Sequence, residues 1–60
     1  MSALTAYDTA RVLATHGLTS DTATRADMDA AADHAGIDRP ADNHDRHTIR
    51  AALDAIGGGR

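Results

Sequence analysis

Cysteine, glutamate, lysine, glutamine, phenylalanine and tryptophan are all missing from this 60-residue chain, which has one tyrosine and a single proline. Each absence excludes something. Without cysteine there is no disulfide and no thiolate metal cluster, and a chain below about 70 residues often needs such a staple, or a partner, to be independently stable. No polybasic run is present to hold an anionic membrane surface, and the net charge of -3 weakens non-specific attraction to phosphate. No stretch approaches the roughly 18 consecutive apolar residues of a membrane span, and the N-terminal region lacks the basic start and apolar run of a secretory signal. The expectation is a chain that stays in the cytoplasm and has no membrane role.

The residues that remain form a restricted alphabet. All nine acids are Asp and all six bases are Arg. Apart from the two methionines, every residue type present can be encoded by a codon ending in a pyrimidine. Such a pattern points to a nucleotide-level bias, as in a GC-rich genome, an overlapping reading frame or a restricted synthetic library. It raises His, Asp, Arg, Thr and Ala without selection for chemistry, so clusters of these residues carry less weight here than elsewhere.

Helix is the structure this alphabet favours. The 42% hydrophobic fraction is mostly alanine, which suits helices but buries little area. A chain this short holds one core. Helix 1 is expected over about 3–15, with Ser2 as N-cap and a stripe of Tyr7, Ala10, Leu13 and Ala14 widened by Leu4. Gly17 should stop it in a left-handed conformation, letting Leu18 fold back on Leu13. Helix 2 is expected over about 24–35, with Thr24 and Asp27 as a variant capping box and Met28, Ala31, Ala32 and Ala35 facing inward. Gly36 and Ile37 repeat the stop. Pro40 breaks the chain by forcing Arg39 out of helical geometry. Helix 3 is expected over about 43–56, capped by Asp42 or Asn43, with Ile49, Ala52, Leu53 and Ile56 at helical spacing.

These elements predict an all-α fold, a small three-helix bundle or open three-helix array. The single helical domain covers 1–56, and 57–60 should be a flexible Gly-rich tail. Leu4, Tyr7, Leu13, Leu18, Met28, Ile37, Ile49, Leu53 and Ile56 should form most of the core.

The candidate sites are sparse. His44 and His47 lie three apart near the start of helix 3, with Asp42 and Asp45 close by, and imidazole with carboxylate suits a transition metal. Two close ligands still need others from elsewhere, so no metal is expected. Asp27, Asp29 and Asp33 lack the glycine and terminal glutamate of a calcium loop, and on a helix only the latter two share a face. Arg46 and Arg50, with Arg39, could serve a recognition helix in a helix-turn-helix. The connection from Gly36 to Asn43 is longer than that motif's usual three or four residues, and Asp45 stands beside Arg46. No nucleophile elbow, phosphate loop, HExxH or CxxC occurs, so neither enzyme activity nor a cofactor is expected.

The sequence therefore reads as a non-enzymatic interaction or structural accessory protein that uses an apolar helical face, either to associate with itself or to dock on a larger assembly. A DNA-binding regulator acting through helix 3 is the alternative, disfavoured by net charge. A designed or selected small domain fits the restricted alphabet as well as a natural accessory protein does.

Overall fold

The computed structural model describes residues 2–57 and consists of three helices, α1 (Ala3–Thr15), α2 (Arg25–His34) and α3 (Asn43–Gly57). Each begins where the chain supplies an oxygen for its orphan amides. Ser2 accepts a hydrogen bond from the Thr5 amide at 3.1 Å. Thr24 and Asp27 form a reciprocal box: the Asp27 amide donates to Thr24 Oγ1 at 3.1 Å, and the Thr24 amide donates to Asp27 Oδ2 at 3.0 Å. Asp42 and Asp45 repeat the arrangement before α3, at 2.8 and 3.0 Å.

The first two helices end in Schellman motifs. Gly17 and Gly36 take φ of 77° and 95°, in the left-handed region that favours glycine. Leu18 donates its amide to the Leu13 carbonyl at 3.1 Å, and Ile37 donates to Ala32 at 3.2 Å, so each aliphatic residue returns towards the helix it follows. Both then pack against the core while remaining partly exposed.

The helices gather around α1, which contacts both α3 and α2; α2 and α3 touch each other least. The first turns of α1 lie beside residues 48–52, and its end lies beside 53–57. A radius of gyration of 9.9 Å is close to the roughly 10.4 Å expected for a folded chain of this length. The buried hydrophobic residues are six alanines together with Leu13, Met28, Ile49 and Leu53.

Two sequence expectations fail here, and on α1 they fail for one reason. Leu4 is 72% exposed, Tyr7 38% and Ile56 40%, so these three stand outside the core. The inward face of α1 is Ala6, Thr9, Ala10 and Leu13, rotated away from the expected Tyr7–Ala14 stripe. Both stripes have helical spacing, but the smaller one lets α1 approach its neighbours closely. Thr9 tolerates burial because its hydroxyl donates to the Thr5 carbonyl at 2.8 Å. Gly57 is the last residue of α3, and the rest of the expected tail, 58–60, lies outside the described residues.

The linkers are held by tertiary contacts. Ala23 is buried in the α1–α2 connection and donates its amide to Thr19 at 2.8 Å. Arg50 of α3 reaches across to donate to the carbonyls of Ser20 and Ala23, while Ser20 donates to Asp54. These contacts clip that loop onto α3.

Nothing lies within 4 Å of a methyl group built at Gly17 or Gly36, so Gly→Ala at either site should act through backbone strain alone. Each should lower unfolding free energy by about 1–2 kcal/mol in thermal or urea melts. Met28→Ala should cost about 2–5 kcal/mol in the same melts. Leu4→Ala, in dilute solution, should change stability by no more than about 0.5 kcal/mol.

Candidate functional site

The residues singled out for chemistry are scattered by the fold, and most of the arginines are drawn into structure. Arg39 forms a two-point pair with Asp45, Nη1 to Oδ2 at 2.5 Å and Nη2 to Oδ1 at 3.0 Å, and lies 3.7 Å from Asp42. Asp45 is 0% exposed. It thus serves α3 twice: its carboxylate accepts the Asp42 amide at the helix start, and it anchors the guanidinium of the preceding linker. The Arg39 pair, then the Asp42 amide, hold the Asp45 carboxyl well below the ordinary carboxylate range, more than offsetting desolvation. In turn the Asp45 hydrogen bond raises the Arg39 guanidinium above its ordinary value.

Arg46, only 15% exposed, donates to Asp29, to the Ala41 carbonyl and to Asn43, each at 2.9 Å. It ties α2, the second linker and the start of α3 together. Arg50 is held on the first linker as described above. The three arginines of the recognition-helix reading therefore contact three different parts of the molecule, two of them paired with aspartates. This geometry neutralises two of the three guanidiniums that reading relies on and leaves Arg50 alone of the three without a carboxylate partner among the described residues.

His44 and His47 are both exposed, and among the described residues no group of three or more His or Asp side chains stands close enough to hold a metal ion. Asp29 and Asp33 line one cleft with Ile37 and Pro40, whereas Asp27 lines another. The carboxyl of Asp27 is lowered by the Thr24 backbone amide and then by the Thr24 hydroxyl, which is a capping effect. Ser20 and Asp54 share a cleft with no histidine in its walls, so that contact has no base to turn it into a nucleophile.

Two features escaped sequence reasoning. The capping role of Asp45 follows from a D-x-x-D spacing, Asp42 to Asp45, that mirrors Thr24 to Asp27, so that half was readable; its burial and its pairing with Arg39 were not. His16 and His34, one at each Schellman stop, line a single groove between α1 and α2 with Val12, Leu13, Ala30 and Ala31. Helix packing alone brings them there.

Comparison with protein-family models, with curated proteins and with solved structures yields no match, so any functional reading rests on these residues. Among the described residues no helix is long and apolar enough to cross a membrane.

Asp27 and Asp45 bind protons more weakly in the folded chain than in the unfolded one, because both are held below their ordinary value of 3.8. Their stabilisation is complete above that value and is lost as pH falls below it towards the depressed folded values. Melting temperature should therefore drop from about pH 4 downward. Asp45→Asn should melt lower than the parent at neutral pH and lose less on acidification, as circular dichroism melts across this pH range would show.

Proposed function

We propose that this protein is a non-enzymatic interaction module of the cytoplasm that pairs with a second copy of itself through the outer face of α1. The observation that carries the reading is the exposure of Leu4, the least buried of the large apolar side chains, one turn from the partly exposed Tyr7. Leu4, Tyr7, Asp8 and Arg11 follow the spacing of a single helix face, and each is exposed.

Charge on this face is self-complementary. Asp8 and Arg11 form an ion pair at 2.8 Å, with both side chains more than half exposed. An exposed pair of this kind adds little to the stability of one copy, but it offers both signs to an identical surface. Across a twofold axis, Leu4 of one copy can pack on Tyr7 of the other, with Asp8 and Arg11 at the rim. The inward faces of α1 and α2 are rich in alanine, so burial of Leu4 and Tyr7 would add apolar area the fold otherwise lacks.

Sedimentation velocity over a wide concentration range should show a monomer–dimer equilibrium, and melting temperature should rise with protein concentration. Leu4→Asp should weaken association by about tenfold or more while leaving the helical spectrum of the monomer intact. A chain that sediments as a monomer throughout, with a concentration-independent melt, would overturn the proposal.

A further inference from the structure

Arg25, Met28, Asn43, Arg46, His47 and Arg50 line one cleft of about 290 Å³ between α2 and the first half of α3. Three of the six basic residues of a chain with net charge -3 thus meet at one place, beside a histidine and with no carboxylate in the lining.

Their charges are compensated to different degrees. Among the described residues Arg25 has no ion pair or hydrogen-bond partner; it is the first residue of α2 and is exposed. Arg50 donates to two backbone carbonyls, which fix its guanidinium without neutralising it. Arg46 is neutralised by Asp29, but that carboxylate lines a different cleft, with Asp33 and Ile37. A guanidinium carries five N–H donors, and the partners of Arg46 and Arg50 leave some unassigned on both. Two uncompensated guanidiniums, one of them already immobilised, are thus set beside further donors on Arg46, Asn43 and His47.

We propose that this cleft binds a phosphate monoester. Planar guanidinium forks match the oxygens of a tetrahedral phosphate, and two uncompensated positive charges complement a dianion better than the single charge of a phosphodiester. Pre-positioning of Arg50 and Arg46 by intramolecular contacts lowers the ordering cost of capture, and Arg25 supplies the mobile arm. Arginines anchored in this way suit a small anion that enters the cleft, rather than a duplex whose grooves they would have to enter.

The test is titration of the full chain with inorganic phosphate at constant ionic strength set by sodium chloride, followed by NMR of the arginine Nε–H and histidine ring signals. Signals of Arg25, Arg50 and His47 should move together and saturate. Arg25→Ala and His47→Ala, both at exposed positions, should each weaken binding by about tenfold, whereas Arg11→Ala on α1 should leave it unchanged. Phosphoserine and adenosine monophosphate form separate arms: tighter binding of the first than of inorganic phosphate supports the site and points to a phosphorylated protein as source, and tighter binding of the second supports it and points to a nucleotide. Shifts that chloride reproduces, that fail to saturate or that persist in both cleft variants would overturn the proposal. Binding of duplex DNA without binding of inorganic phosphate would also overturn it, in favour of a nucleic-acid surface.

Discussion

A core built largely of alanine has to be thin, because a methyl group fills space only when the backbones that carry it come close together. This constraint reaches every part of the molecule. It selects the Ala6–Thr9–Ala10–Leu13 face of α1 for the interior and leaves Leu4 and Tyr7 on the surface. It makes Met28, Leu13, Ile49 and Leu53 the few bulky side chains on which packing depends. The linkers contribute only Leu18, Ala23, Ile37 and Ala41 to apolar packing, and polar groups add to their hold.

The polar groups do so through long side chains that span elements. Arg50 clips the first linker to α3 through two carbonyls, Arg46 ties α3 to α2 and to the second linker, and Arg39 anchors that linker to the buried carboxylate of Asp45. Arginine suits this use because its fork can bridge carbonyls and carboxylates without losing its charge. The cost of burying Asp45 is met by its two-point pair and by the Asp42 amide, so a charge that would otherwise oppose folding becomes a fixed point of it. The same arrangement has a consequence for surface chemistry. Once the arginines are positioned by the fold, their unused donors and charge gather beside α2, although the chain as a whole is acidic.

Helix ends were legible because capping and termination are local. Ser2 with Thr5, Thr24 with Asp27 and the Gly17–Leu18 and Gly36–Ile37 stops involve residues within about one turn of each other, so residue type and spacing suffice to read them. Element type and the three-helix count follow from the same short-range chemistry. The D-x-x-D box at Asp42 and Asp45 belongs to this class as well.

Which face of α1 turns inward is another matter. Two stripes of equal periodicity competed, one richer in bulk and one in small residues, and the choice rests on how closely α3 and α2 can approach, a property of the packed whole rather than of the helix. The destinations of Arg39, Arg46 and Arg50 were hidden for a related reason. A long flexible side chain can reach a solvent face, a neighbouring carboxylate or a distant carbonyl at similar local cost, and only the assembled loops present the acceptors. Local hydrogen bonding therefore made the helices and their boundaries readable from the chain, while burial of Asp45, exposure of Leu4 and convergence of Arg25, Arg46, His47 and Arg50 emerged with packing, which brings together groups that sequence distance keeps apart.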